Sequence, residues 1–191
     1  MPPSQIRLTS DVLWAAAIFA ALIDAIFVYL LTRLVPPERF RRLFWPVGAV
    51  GAVFWGLMWT WAMWGWAWEP VYSHVFPAWS RYVVPWAYGL IFGAVALGFW
   101  ALAVRCREPV VVFCVLGGLV SLPGHLIGAA RGLFKVPMLQ DVSIVSGLTF
   151  GIFEFAFYFA VILTVAAVVR AGWDRGARAG KSRTRAAGAS R

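Results

Sequence analysis

The chain has 191 residues, of which 62% are hydrophobic, and its mean hydropathy is +0.78. Soluble globular domains carry about 45–50% apolar residues, so this composition points away from a soluble fold and toward an integral membrane protein. The net charge of +9 raises nucleic acid as a partner, but seven of the 17 basic residues follow Val169 and the others flank apolar runs. That is the pattern of charges that orient membrane helices, and nucleic acid is not expected as a partner.

Several apolar runs of about twenty residues are long enough to cross a bilayer. No polar stretch is long enough to build a separate soluble domain. The expectation is therefore an all-α integral membrane protein, a bundle of about five transmembrane helices over residues 11–169. A short extracytoplasmic N-terminus (1–10) precedes it and a basic, disordered cytoplasmic tail (170–191) follows. The first apolar run, Val12 to Leu31, contains Asp24 and lacks a clear polar cleavage region, so it reads as an uncleaved helix rather than a signal peptide.

In chain order, the first helix is expected over Asp11 to Val35. Thr9, Ser10 and Asp11 suit its start and Pro36–Pro37 its stop. Ala17, Ala20, Ala21, Asp24 and Val28 share a face, and an alanine-lined face permits close helix approach, which turns Asp24 into the bundle. Pro36 to Arg42 reads as a short basic loop. The second helix is expected over Leu43 to Trp66, with a small face at Gly48, Gly51 and Ala52. Its second half and flank carry Trp55, Trp59, Trp61, Trp64, Trp66 and Trp68. The last three suit the headgroup boundary, whereas Trp55 and Trp59 lie deeper and should pack or line a cavity.

Trp68 to Pro85 contains three prolines and many aromatics. It reads as a short interfacial segment between helices 2 and 3, carrying Glu69, Tyr72, His74 and Arg81. The third helix is expected over Trp86 to Val104 with a Gly89–Gly93 close-packing pair, and the fourth over Val110 to Ala130 with a small, polar face through Cys114, Gly117, Gly118, Ser121, His125 and Gly128. Pro123 should kink it near His125. Cys106 and Cys114 are too far apart along one helix for a disulfide and read as free thiols.

The fifth helix, Ser143 to Val169, carries one charge, Glu154. A carboxylate at mid-membrane is costly and must face protein or water. Ser143, Gly147, Gly151, Glu154 and Tyr158 fall on one face, a stripe on which other helices should pack.

Lys and Arg divide 13 to 4 between the two membrane faces, which places the N-terminus outside the cytoplasm and the C-terminus inside. With that orientation, and at 1.5 Å per residue, His125 lies roughly 8 Å, Glu154 about 15 Å and Asp24 about 20 Å below the outer surface. Glu69 and His74 sit above them. Asp24, Glu69, His74, His125, Glu154 and Tyr158 form a candidate polar track for a proton, a cation or a small molecule.

Each residue also has a plainer reading. Asp24 and Glu154 can be protonated structural groups, and His125 can satisfy a carbonyl freed by the kink. His74 and Glu69 can be ordinary interfacial residues. The resulting functional expectation is a protein that binds or conducts a proton, cation or small molecule. One alternative is a membrane anchor of a redox complex holding quinone or a single haem. Another is a structural or assembly protein with no site. No spacing of His, Cys, Asp and Glu marks a metal, and GxSxG, HExxH, P-loop and paired-glycine signatures are absent from the chain. The sequence thus assigns no cofactor. The partners it implies are the bilayer itself, anionic lipid at the basic tail, and a second copy or a larger membrane complex.

Overall fold

The computed structural model describes residues 9–65, 73, 77–123 and 143–189, with side chains to residue 177. The described residues are almost entirely helical and contain no strand. This follows from the solvent: lipid offers no hydrogen bonds, so each spanning segment must satisfy its own backbone. Among the described residues the helices are α1 (Ser10–Leu34), α2 (Pro37–Phe40), α3 (Phe44–Ala62), α4 (Ser80–Ala103), α5 (Pro109–Leu119) and α6 (Ile144–Ala189). Four of them are long and apolar enough to cross a membrane: α1, α3 with its continuation to Gly65, α4, and the first 34 residues of α6. The chain is therefore an all-helical protein of membrane-embedded type.

The first helix begins as its sequence implies. Thr9 is the N-cap, its Oγ1 accepting a hydrogen bond from the Val12 N–H at 3.4 Å, and Asp11 lies in the first turn. The expected basic loop after it is instead partly helical. Pro37 has the fixed φ suited to a first helical position, and the short α2 turns Phe40 inward. Phe40 is fully buried, stacked on Trp100 of α4 (centroids 6.2 Å apart) and edge-on to Phe113 of α5 (6.0 Å). The Trp100 Nε1–H donates to the Phe40 carbonyl at 3.0 Å, locking α2 onto the end of α4.

The broadest helix pair is α3 with α4. Gly48 faces Leu97, Gly51 faces Gly93 and Ala96, and Gly56 faces Gly89 and Trp86. Residue numbers run in opposite directions along the seam, so the pair is antiparallel. The contact is backbone on backbone. A Cβ on Gly89 would lie 2.5 Å from the Ala52 carbonyl oxygen, and one on Gly93 would lie 3.0 Å from that of Gly48. The Gly89–Gly93 spacing read in the sequence is thus a packing seam.

Helix α4 starts at Ser80, six residues before the expected boundary, and contains Pro85. Pro85 removes one bond, to the Arg81 carbonyl, near the helix start, and its ring is fully buried, so packing offsets the loss. The proposed interfacial segment is thereby shortened at its C-terminal side. Its residues 68–72 and 74–76, with Glu69, Tyr72 and His74, lie outside the described residues. At this end of the bundle the Arg81 guanidinium sits over the Trp64 ring at 4.4 Å and the Tyr82 ring at 5.3 Å. Trp61 and Trp64 are exposed, and Trp66 and Trp68, expected with Trp64 at the headgroup boundary, lie outside the described residues.

Helix α5 is short, and its apolar helical run extends to Pro123. The remainder of the expected fourth helix, with His125, and the loop after it lie outside the described residues. Cys106 is exposed and Cys114 buried, both as free thiols.

Helix α6 continues to Ala189, through most of the basic segment that follows Val169. Alanine and arginine are strong helix formers, and Arg170 pairs with Asp174 one turn on, at 3.2 Å. Its deepest face is not the Ser143–Tyr158 stripe as a whole. Phe159, Ala160, Ile162, Leu163 and Ala166 are fully buried, whereas Glu154 and Tyr158 are only half-buried. Phe159 is the hub, meeting Trp55 of α3, Phe99 of α4 and Phe113 of α5. Trp55, expected to lie deep, is buried and stacks on Phe92 at 4.6 Å; Trp59 stacks on Tyr88 at 4.7 Å.

Gly93→Leu should split the α3–α4 seam. Overpacking of this kind costs about 1–3 kcal/mol, and a lowered melting temperature in detergent will report it. Gly98 has no atom near its missing Cβ and is exposed, so Gly98→Leu should leave the melting temperature unchanged.

Candidate functional site

Helices α1 and α6 run side by side in the same direction. At their starts, the Ser143 N–H donates to Ser10 Oγ at 2.9 Å. Further along, Phe27 packs against Phe157 with centroids 5.8 Å apart. Residues advance together along both helices, so the pair is parallel. Counted from that shared end at 1.5 Å per residue, Asp24 lies about 21 Å and Glu154 about 16 Å along, near the middle of a hydrocarbon core about 30 Å thick.

A groove of about 310 Å³ runs between the two helices. Asp24, Glu154 and Tyr158 line it together with Phe19, Ile23, Phe150 and Phe157. The parallel register brings the first three together from opposite ends of the sequence.

Their environments differ. Glu154 is half-buried and partnered: the Tyr158 hydroxyl donates to Glu154 Oε1 at 2.5 Å, one turn along the same helix. Tyr158 is itself held by rings, with Phe54 at 5.6 Å, Trp55 at 5.7 Å and Phe155 at 5.8 Å. Asp24 is 7% exposed, and neither of its carboxylate oxygens has a hydrogen-bond partner among the described residues. The Cys114 thiol of α5 lies within electrostatic range of it. Buried polar groups are ordinarily hydrogen-bonded, and an unpartnered carboxyl in the interior of a span is costly.

Of the six residues in the expected track, Asp24, Glu154 and Tyr158 are thus brought to one groove. Glu69, His74 and His125 lie outside the described residues. The aromatic walls, Phe19, Phe150 and Phe157, were not singled out in the sequence. Phenylalanine is common throughout this chain, and only the helix pairing distinguishes these three. Cys114 was read there as a free thiol on the small, polar face of the fourth helix, and nothing in the sequence relates it to Asp24.

The donor set bears on what the groove can hold. Among the described residues, no three His, Cys, Asp or Glu side chains converge as a metal centre would need. The described chemistry consists of two carboxyls, one phenol and aromatic surface. Such a set can take up and release a proton, or pair with a cation. No protein-family model, curated protein or solved structure matches this chain.

If Asp24 has no structural partner, its removal should not weaken the fold. Asp24→Leu is expected to raise stability by about 1–3 kcal/mol, the cost of a buried polar group left unpaired. The readout is melting temperature in detergent. A fall instead of a rise would show that the carboxyl holds the bundle together.

Proposed function

We propose that this protein binds or conducts a proton or a cation through the interior of its helix bundle, with Asp24 and the Glu154–Tyr158 pair as the central groups. The observation that carries this reading is Asp24: a carboxyl at mid-span, buried, with neither oxygen hydrogen-bonded among the described residues. A packing role accounts for Glu154, which accepts a hydrogen bond within its own helix. It does not account for Asp24, which incurs the desolvation cost without the compensating bond. Intramembrane carboxyls that line a groove are the groups used by proton relays and cation sites. In this reading Glu69, His74 and His125 extend the path toward the surface.

The path has a direction only if the topology is fixed. We propose five crossings with the N-terminus outside the cytoplasm. Two observations support this. Helices α1 and α6 begin at the same end, while α4, antiparallel to α3, ends at the other, and the apolar α5 starts from there, which supports a fifth crossing between α4 and α6. The 13-to-4 division of Lys and Arg then places the ends. The basic residues after Val169 suit an anionic cytoplasmic leaflet. Reporter fusions after Arg42, after Arg107 and at the C-terminus should all read cytoplasm; a fusion after Lys135 that reads cytoplasm would overturn the scheme.

Proton flux tests the function itself. In liposomes carrying the purified protein, Asp24→Asn and Glu154→Gln should each abolish flux with the melting temperature preserved. Both amides mimic the neutral acid in shape but cannot release a proton. Unchanged flux in both variants would remove the two carboxyls from any relay.

A further inference from the structure

The groove between α1 and α6 has properties that a bare proton or an inorganic ion does not use. Its volume, about 310 Å³, falls at the lower end of small-molecule sites, which span about 300–1,000 Å³. Its walls are Phe19, Ile23, Phe150 and Phe157, and its polar side chains are confined to Asp24, Glu154 and Tyr158. A strongly hydrated metal ion exchanges its waters for about six or more oxygens, and these three side chains offer fewer. Phe19, Ile23 and Phe157 are 65%, 37% and 36% exposed on the flank of the two helices, so at mid-span the groove faces the surface that lipid covers.

An apolar groove, open to the bilayer, with an unpartnered buried carboxyl in its wall, is complementary to a cation that carries its own apolar bulk. Aromatic faces attract such cations more strongly when water is excluded. The carboxyl supplies the counter-charge in a medium of low dielectric, where a single ion pair counts for far more than in water. A neutral apolar ligand would fill the groove but leave Asp24 unpaired.

We propose that the α1–α6 groove binds a lipophilic organic cation, a bulky ammonium or phosphonium, taken up sideways from the bilayer with Asp24 as its counter-ion. Glu154, oriented by Tyr158, is the second carboxyl that the cation meets. The proposal rests on the proton-or-cation reading above and names its substrate class. The titratable groups around Asp24 among the described residues are Glu154 and Tyr158, which line the same groove from α6, and Cys114 of α5, which is within electrostatic range. Protons and the organic cation compete for the same carboxyls, because protonation removes the charge that holds the cation.

The test is equilibrium dialysis of radiolabelled tetraphenylphosphonium against the full chain in detergent. Binding should be saturable and should weaken as the pH is lowered, because protonation of Asp24 removes the charge that holds the cation. Excess neutral triphenylphosphine oxide should fail to displace the probe. Asp24→Asn should abolish binding, and so should Ala20→Phe, which fills the groove, each with the melting temperature preserved. If either variant fails to fold, the pH dependence and the neutral competitor decide the matter on the wild-type protein. Displacement by the neutral compound, or binding independent of pH, overturns the proposal. If the wild-type protein binds no tetraphenylphosphonium while flux still requires both carboxyls, the organic-cation site falls and the proton reading stands. If the probe binds in a manner that requires Asp24 while flux is indifferent to both carboxyl variants, the proton reading falls and the site stands.

Discussion

The α3–α4 seam is the contact on which the rest of the bundle is built. Apolar side chains gain little by leaving lipid for protein, so helices in a bilayer associate through close packing rather than through a hydrophobic drive. Gly51, Ala52 and Gly56 on α3 meet Gly89, Gly93 and Ala96 on α4 at backbone distance. This antiparallel pair presents Trp55 and Phe99 to α6, whose Phe159 fits among them and against Phe113 of α5. Phe40 and the Trp100 hydrogen bond close the same bundle at the far end. Close backbone contact thus sets the positions of the large rings, and the rings set the position of α6.

The site depends on what α6 does next. One face of it is consumed by α3 and α5, and another is left for α1, which lies parallel to it. A parallel pair needs its two starts at one end of the bundle, here tied by Ser10 and Ser143. That register, rather than any local feature, brings Asp24 and Glu154 to a single groove. Tyr158 joins the two environments: its hydroxyl serves Glu154 and its ring belongs to the cluster around Trp55. A proton or charge change at Glu154 therefore acts on a side chain packed in the core.

Asp24 and Glu154 show how the same residue type carries different meaning. Glu154 satisfies one oxygen locally, within a single helical turn, as a packing group would. Asp24 has no such bond among the described residues, yet it is the more deeply buried of the two. A fold that carries this cost without a compensating bond derives no stability from the residue. The aromatic walls beside it determine which charge would be welcome: one that tolerates little water.

Much was legible in the sequence because lipid imposes long apolar runs and makes exceptions visible. The membrane class, the approximate positions of the helices, the Thr9–Asp11 start, the Gly89–Gly93 seam and the isolated charges Asp24 and Glu154 all follow from residue type and spacing. The start of α4 at Ser80 was hidden because Pro85 reads locally as a stop, while burial of its ring against other helices cannot be read locally. The continuation of α6 was hidden because a hydropathy pattern ends where the apolar run ends, whereas helix propensity in an alanine- and arginine-rich tail does not. The tertiary structure alone decided which faces are core. Along a helix that is apolar all round, periodicity cannot separate Phe159, fully buried, from Phe19, exposed, since lipid and protein interior are nearly equivalent solvents for both. For the same reason the pairing of α1 with α6, and with it the groove, is fixed by the fit of helix against helix and not by any signal in either segment.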